Sequence, residues 1–250
     1  MLTITMPIID TYTLFGAWPA GGADLSLERL RHALAGRDIS AAIAHTTESV
    51  FQATAETLRS TYHQVSQVPG LSPAAVLNPA MMSRPWEFAQ AIVGQPWACV
   101  RFFPDAHGWP IADYSPFEKC MEVLAPSGMP VSVSISRPGM VTALSRVSHS
   151  AEANISLVHV ATECLSEVEA VLPAMENWTL STDGLTHLGM LEELVSVVGA
   201  EKIIFGSTAP RGSIEGSIRY VRHSHLTDAA KEAIFNSNAL RVFGGRIGNH

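Results

Sequence analysis

The sequence predicts a parallel (β/α)8 barrel, in which eight short apolar strands alternate with helices. Three observations support this prediction: a length of 250 residues, a hydrophobic fraction of 47%, and apolar segments that recur along the whole chain. An open doubly wound sheet is the alternative, but such a sheet often has a Gly-rich phosphate loop. The sequence has no G-x-G-x-x-G or P-loop lysine motif. We therefore expect one barrel domain over residues 1–250.

The strand candidates are short and apolar, and most of them are bounded by Pro, Gly, Asp or Ser. In chain order they are Pro7–Thr13, Ile39–His45, Ala74–Asn78, Ala98–Phe103, Val131–Ser136, Ile155–Val160, Trp178–Ser181 and Lys202–Gly206. Strands that alternate with helices in this way favour parallel pairing around a barrel.

Helical segments fall between the strands and are marked by apolar residues three or four positions apart. Gly199 is expected to end one helix, and Thr227 with Asp228 to cap the last helix, which runs to about Phe235. The residues that share a helix face are Leu27, Leu30 and Leu34 in the first segment, Val50, Thr54 and Leu58 in the second, and Leu188, Leu191, Leu194, Val195 and Val198 in a third.

Charge and composition exclude several classes of partner. The net charge of −7 argues against nucleic acid and anionic membrane surfaces. No stretch approaches eighteen uninterrupted apolar residues, so no membrane span is expected. Only 16% of the residues are charged, which predicts a homo-oligomer that buries surface against a second copy, although a large alanine-rich core is an alternative.

The three cysteines indicate the cellular compartment in which we expect the protein. Cys99, Cys120 and Cys164 are scattered, odd in number and form no Cys-x-x-Cys pair. Reduced, buried thiols of this kind are typical of a cytoplasmic protein.

Four segments resemble motifs of a known family. They are the first strand with its continuation, Pro7–Gly16, the fourth strand Cys99-Val100-Arg101-Phe102-Phe103, the segment Gly128-Met129-Pro130-Val131, and the ending Ile204-Phe205-Gly206-Ser207 with Asn238–Gly244. Together they resemble the amidohydrolase-related proteins, the amidohydrolase 2 branch of that superfamily. The Val-Arg-Phe of the fourth strand is most similar to the pyrone-dicarboxylate lactonase and sugar-lactone isomerase subgroup. The resemblance implies a (β/α)8 barrel.

The positions that hold the metal in that family are altered. Its two first-strand histidines fall on Tyr12 and Leu14, its fifth-strand histidine on Ser134 and its eighth-strand aspartate on Thr208, while its sixth-strand histidine corresponds to His159. A catalytic zinc needs three protein ligands from His, Asp, Glu or Cys. We therefore expect no metal and no other cofactor. The subgroup includes members that work without metal, so the resemblance still allows catalysis.

The active site of such a barrel lies at the carboxyl ends of its strands. His45, His159 and Asp183 are predicted there as proton-transfer groups, since histidine transfers protons readily near neutral pH. Each has an alternative: the histidines can be core residues bonded to backbone, and Asp183-Gly184 can be an ordinary turn.

A small anionic molecule is the predicted partner, because arginine binds a carboxylate through its planar fork. Arg101 lies in an apolar neighbourhood, so its charge requires either an acidic residue or a ligand. The predicted substrate-binding residues are Tyr12, Arg101, Ser134, Arg137 and Thr208.

Two functions of different classes follow from these residues. The first is a metal-independent enzyme, a hydrolase or isomerase, that acts on a small carboxylate-bearing lactone or related carbonyl compound. It predicts that Arg101, His45 and His159 face one pocket. The second is a catalytically degenerate barrel that binds a ligand or a partner without turnover. An intact metallohydrolase is disfavoured by the lost ligands.

Overall fold

One parallel sheet organises the part of the chain that the structure describes. The structure is a computed structural model that describes residues 6–19, 21 and 24–248. Within those residues the sheet has eight strands, and each strand pairs with the next one in sequence. The strands are Ile8–Phe15 (β1), Ile39–Thr46 (β2), Leu71–Val76 (β3), Cys99–Phe102 (β4), Val131–Ser134 (β5), Ile155–Val158 (β6), Trp178–Ser181 (β7) and Ile203–Ile204 (β8).

Hydrogen bonds bring the two edges of the sheet together. The Thr11 backbone N–H donates to the Phe205 carbonyl over 2.9 Å, and the Thr208 N–H donates to the Tyr12 carbonyl over 2.9 Å. The segment after β8 therefore runs along β1, and the sheet becomes a barrel. The predicted (β/α)8 fold is confirmed.

Helices connect the strands and cover the outside of the barrel. They are Leu27–Leu34 (α1), Thr47–Phe51 (α2), Ala55–Ser66 (α3), Pro85–Val93 (α4), Pro104–His107 (α5), Ser115–Leu124 (α6), Met140–Ser145 (α7), Leu165–Val171 (α8), Met190–Val198 (α9), Ile214–Arg222 (α10), Asp228–Glu232 (α11) and Asn238–Phe243 (α12). None of the described helices is long and apolar enough to cross a membrane. The three cysteines are buried and carry no disulfide.

Capping residues explain where the helices begin and end. Gly199 ends α9 with a φ of 89°, and the Thr227 hydroxyl caps α11 by accepting from the Ala230 N–H, so the predicted helix end and the predicted cap are confirmed. α11 is not the last helix as predicted, because a π-helical segment, Ala233–Ser237, continues the chain into α12. The segment predicted around Val50 and Leu58 is two helices, because Thr54 leaves the helical conformation and caps α3 with its own hydroxyl.

Two predicted boundaries are wrong for identifiable reasons. Strand β3 begins at Leu71, before the predicted start, because Pro73 stays in the sheet and its carbonyl accepts from the Ala98 N–H over 2.8 Å. Leu188 was expected on the buried face of α9, but its side chain is 96% exposed. Gly189, with a φ of 82°, turns the chain so that α9 begins only at Met190.

Candidate active site

An exposed imidazole and a buried carboxylate lie together at the carboxyl ends of β6 and β7. The His159 backbone N–H donates to Asp183 Oδ2 over 2.8 Å, and the His159 Nδ1 atom lies 3.7 Å from the same oxygen. The imidazole side chain is 44% exposed, whereas that of Asp183 is 0% exposed. A separation of 3.7 Å is longer than a hydrogen bond, so the carboxylate holds the backbone by a hydrogen bond and acts on the ring through its charge.

Tight packing between the two loops holds this pair in place. His159 has a left-handed backbone, with a φ of 51°, which side chains other than glycine adopt at a cost. A Cβ atom on Gly184 would collide with the backbone of Val160, so the loops after β6 and β7 touch main chain to main chain. Backbone strain of this kind is often found where a side chain is positioned for function.

A second glycine lets three strands deliver polar side chains to one point. A Cβ atom at Gly206 would lie 3.1 Å from Tyr12 Cβ and 3.3 Å from Asp183 Cβ, and it would collide with the Ser181 hydroxyl. The ends of β1, β7 and β8 therefore meet inside the barrel mouth. Asp183 lies at this meeting point as well as beside His159.

Tyr12 occupies the centre of the group. Its ring centroid lies 5.5 Å from that of His45 and 6.5 Å from that of His159, and the Arg101 Cζ atom is 4.5 Å from it. Burial raises the pKa of the Tyr12 phenol above its ordinary value of 10.0, although the Arg101 guanidinium opposes this shift. The phenol therefore stays protonated at neutral pH and is available as a hydrogen-bond donor.

Arg101 is enclosed by protein groups rather than presented to a ligand. Its Nη2 atom donates to the carbonyls of Thr11 over 2.7 Å and Ile43 over 3.2 Å, and its Nη1 atom donates to the carbonyl of Thr13 over 3.3 Å. The residue is 0% exposed. Main-chain carbonyls thus account for both terminal nitrogens, while no hydrogen-bond partner for the buried Nε atom is found among the described residues. The substrate-binding role of Arg101 stays a prediction.

The local geometry of β1 explains why this site accepts an arginine. Asp10 pairs with Ala42 and Thr13 pairs with Ala44, so β1 has one more residue than β2 between these points. Such a bulge interrupts the ladder and leaves carbonyl oxygens unpaired. The planar guanidinium satisfies several of them at once, which is a geometry that lysine cannot reproduce.

His45 lies against Arg101 in the interior. Its Nδ1 atom is in hydrogen-bond contact with Arg101 Nη1, its ring packs 5.5 Å from that of Phe103, and the residue is 0% exposed. Burial and, secondly, the nearby guanidinium hold the pKa of His45 well below its ordinary value of 6.5. His45 is therefore a neutral interior histidine, and the alternative of a core residue describes it better than the predicted proton-transfer role.

The expected convergence of Arg101, His45 and His159 is therefore partial. All three surround Tyr12, but only His159 is exposed. The polar interior still offers groups to a bound molecule. Among the described residues, no hydrogen-bond partner is found for the buried atoms His45 Nε2, Ser181 Oγ and Asp183 Oδ1. Unpaired buried atoms of this kind call for a water molecule or a ligand.

Asp10 links the two strands that close the barrel. Its Oδ1 atom accepts from the backbone N–H groups of Tyr12 over 3.2 Å and Ser207 over 3.1 Å, and its Oδ2 atom accepts from the Ser207 hydroxyl over 2.5 Å. Burial raises the pKa of Asp10 to about 7, although the Ser207 hydroxyl opposes this shift. The carboxyl thus positions Tyr12 and the segment after β8.

The remaining predicted residues lie around this centre. Ser134 is half-buried at the end of β5 and pairs in register with Val158, next to His159. Thr208 is buried, with a φ of 56°, and its hydroxyl donates to the Ser207 carbonyl over 2.5 Å. Arg137 is 62% exposed and its Nε atom donates to Asp105 over 2.7 Å, so its charge already has a partner.

The prediction omitted two residues that the structure brings to the mouth. Ser181 contributes a hydroxyl beside Tyr12 and Asp183. Arg211, in the segment after β8, stacks its guanidinium 4.4 Å from the centre of the Trp18 ring and acts electrostatically on the Tyr12 phenol. Ser181 is the last residue of the predicted strand Trp178–Ser181, and Arg211 lies five residues beyond the predicted strand Lys202–Gly206. Position near a strand end was the signal available for both.

A separate cavity of about 710 Å³ lies between the loops that follow β1 and β2. Its described lining includes the carboxylates Asp24 and Glu48 and no basic side chain. None of the predicted site residues lines it. An anionic molecule is better matched by the mouth around His159 and Arg211 than by this cavity.

The side chains at the mouth do not fit a catalytic metal ion. Among the described residues, no group of three or more His, Cys, Asp or Glu side chains is placed to hold one. Tyr12, Leu14, Ser134 and Thr208 occupy the altered positions, and the Arg101 guanidinium beside Tyr12 disfavours a second cation there.

The barrel is shared with solved structures of other proteins. A 2,6-dihydroxybenzoate decarboxylase from Rhizobium is 14% identical, with 96% of this chain and 99% of that chain covered and a TM-score of 0.75. A dihydroxybenzoic acid decarboxylase from Polaromonas, solved with manganese and an inhibitor, is 14% identical, with 96% and 97% covered and a TM-score of 0.72. An amidohydrolase II is 15% identical, with 94% and 99% covered and a TM-score of 0.73.

These similarities show a common fold. At 14–15% identity they show the fold alone, although one of these neighbours is an amidohydrolase II. They do not single out the lactonase and isomerase subgroup. No protein-family model matches the sequence, and no characterised protein sequence matches it significantly.

Proposed function

We propose that the protein is a metal-independent enzyme that acts on a small carboxylate-bearing compound, with proton transfer at His159. The observation that supports this most directly is the pairing of an exposed imidazole with the buried carboxylate of Asp183. Histidine is the side chain used most often for general acid–base catalysis.

The surroundings of His159 suit such a step. When the imidazole takes a proton, the Asp183 carboxylate 3.7 Å away stabilises the positive charge that develops. The hydrogen bond from the His159 N–H to the same carboxylate holds the ring over Tyr12. The Tyr12 phenol and the Ser181 hydroxyl supply hydrogen bonds to the bound molecule.

Arg211 is the proposed partner of the substrate carboxylate. Its guanidinium is exposed, has no ion pair among the residues the structure describes, and acts on Tyr12 electrostatically. The guanidinium lies 4.4 Å from the centre of the Trp18 ring, and an arginine can hold a carboxylate by a two-pronged contact at its edge. Arg211 thus takes the role that the sequence assigned to Arg101.

Two reaction types are compatible with this arrangement. In hydrolysis of a lactone, His159 would take the proton of the attacking water, and in isomerisation it would move a proton beside a carbonyl group. The structural neighbours that decarboxylate dihydroxybenzoates favour small carboxylate-bearing aromatics as a further substrate class. In decarboxylation the same imidazole would give its proton to the carbon that loses CO2.

A panel of lactones and hydroxybenzoates tests the proposal. Compounds that raise the unfolding temperature are carried into turnover assays in the presence of a chelator. His159→Asn, which keeps a residue that tolerates the left-handed backbone, is expected to abolish turnover. Asp183→Asn is expected to lower kcat at least about tenfold, because it removes the charge that stabilises the imidazolium.

His149→Asn is the matched control. His149 is also 44% exposed, has a left-handed φ of 63° and lies beside a carboxylate, but it precedes β6 and so lies at the other end of the strand. This variant should retain full activity. Compounds that stabilise the protein without turnover would instead support the ligand-binding barrel without catalysis, and loss of activity with the chelator would refute metal independence.

A further inference from the structure

A groove between α1 and the start of α10 gathers basic side chains. It has a volume of about 440 Å³, and its lining includes Arg29, His32, Arg37, Arg211, Ser213 and Glu215. Three arginines and one histidine thus face one carboxylate, on a chain whose net charge is −7. The local charge has the opposite sign to that of the whole protein.

Two of these basic groups form no ion pair within the described part of the chain. Arg29 and His32 are three positions apart on α1 and so lie on one face of that helix. Among the residues that the structure describes, neither forms an ion pair with a carboxylate. Their charge and hydrogen-bonding capacity are available to a molecule in the groove.

The single carboxylate of the groove is already engaged. Glu215 Oε1 accepts from Arg219 Nε over 2.7 Å, and Glu215 Oε2 lies 3.8 Å from Arg37 Nε. The hydrogen bond from Arg219 is the main cause that lowers the pKa of Glu215. Arg37 is itself fixed, because its Nη1 atom donates to the Ala33 carbonyl over 2.8 Å and the Ala35 carbonyl over 3.1 Å.

The start of α10, which faces α1 across the groove, adds backbone N–H donors. The Ser213 hydroxyl caps α10 by accepting from the Gly216 N–H over 3.1 Å. The N–H groups of Ile214 and Glu215 precede it in the first turn, where helix geometry provides no intrahelical partner. A Cβ atom on Gly212 would collide with Ser207 and Thr208, so the segment before the helix is packed firmly against the end of β8. The positive end of the helix is therefore held rigidly at the groove.

We propose that this groove binds a doubly charged oxyanion, the group that a phosphate monoester carries. Two unpaired basic side chains on α1, the buttressed Arg37 and the start of α10 surround one space, and a tetrahedral dianion can contact several of these donors together. The groove lies apart from the pair His159 and Asp183, but Arg211 lines it and is also the proposed partner of the substrate carboxylate. The variants below therefore leave Arg211 unchanged, so that the phosphate site is tested independently of the proposed function.

Titration of the purified protein with inorganic phosphate tests this site. Binding is measured by calorimetry at pH 7, with sodium chloride used to hold the ionic strength constant. We expect saturable binding of one phosphate per chain. The double variant Arg29→Gln/His32→Gln should bind phosphate at least about tenfold more weakly, which is the loss of about 1.4 kcal/mol.

Arg146→Gln is the control, because Arg146 is an exposed arginine at the C-cap of α7, outside the groove. It should bind phosphate as the unaltered protein does. All variants change surface side chains, and equal unfolding temperatures without phosphate will show that they fold. The proposal is overturned if phosphate has no more effect than chloride, or if the double variant and the control bind equally.

Discussion

The carbonyl oxygen of Thr11 accepts a hydrogen bond from Arg101 Nη2 over 2.7 Å, where the bulge in β1 has separated it from β2. The same guanidinium reaches the carbonyls of Thr13 and Ile43. An arginine from β4 thereby joins two strands that the ladder alone does not hold together at this point. The stability of the barrel should consequently depend on this one side chain.

Replacement of Arg101 by methionine tests that dependence. The variant keeps an apolar stem of similar length but leaves three buried carbonyl groups without this donor. We expect the free energy of unfolding to fall by about 3 kcal/mol or more, measured by urea denaturation. Arg101→Lys should also be destabilised, because one ammonium group cannot replace the planar fork. Arg146→Met, at the surface, should change stability by less than about 0.5 kcal/mol.

The pH dependence of stability should report on Asp10. Its pKa is about 7 in the folded protein and has an ordinary value of 3.8, so between these pH values the folded chain keeps a proton that the unfolded chain releases. The contribution of Asp10 to stability is therefore complete below pH 3.8 and is lost as the pH rises through about 7. Its size is on the order of 4 kcal/mol.

Asp10→Asn isolates this contribution. Asparagine keeps the shape of the carboxyl group and an acceptor oxygen for the backbone N–H groups, but it does not titrate. Urea denaturation of both proteins between pH 4 and pH 8 should show that the stability difference between them changes with pH. Parallel curves would show that Asp10 does not titrate in this range.

Gly184 should be intolerant of any side chain. A methyl group there would collide with the Val160 backbone, and main chain cannot move aside as a flexible side chain can. Gly184→Ala should lower the free energy of unfolding by about 1–3 kcal/mol and should reduce any activity that depends on His159. Gly94→Ala is the comparison, because the nearest atom to its added methyl group is 4.0 Å away. That variant should be close to neutral.

At Gly184 the loss of a glycine is expected to destabilise the protein, whereas at His159 the introduction of a glycine should relieve strain, because the backbone there is left-handed. His159→Gly removes the steric cost of a φ of 51°, whereas His159→Ala retains it. The glycine variant should be more stable than the alanine variant by about 1 kcal/mol. Thermal unfolding of the two proteins measures the difference. Equal stability would mean that the loop after β6 carries no strain.

The strand pattern could be predicted from the sequence because it depends on local properties. Each strand is an apolar run between strand-breaking residues, and the predicted Trp178–Ser181 agrees with β7. The pairing of His159 with Asp183 was anticipated only as far as their positions at neighbouring strand ends. Their contact depends on Gly184 and on a left-handed residue, which are features that no apolar periodicity reveals.

The hydrogen-bond partners of Arg101 could not be predicted from residue types. A buried charge predicts a partner of opposite charge, and the sequence offers a substrate or an acidic residue for that role. The actual partners are main-chain carbonyls, which every sequence contains and which only a bulge makes available. The amino-acid composition of β1 does not predict such a bulge.

The buried guanidinium of Arg101 also determines where the positive charge inside the barrel comes from. A cation that belongs to the polypeptide is made with each copy, in a ratio of one to one, and it cannot exchange with the medium. It needs no uptake system and no loading step after synthesis. The positive charge beside Tyr12 is therefore in place as soon as Arg101 reaches the strands that enclose it.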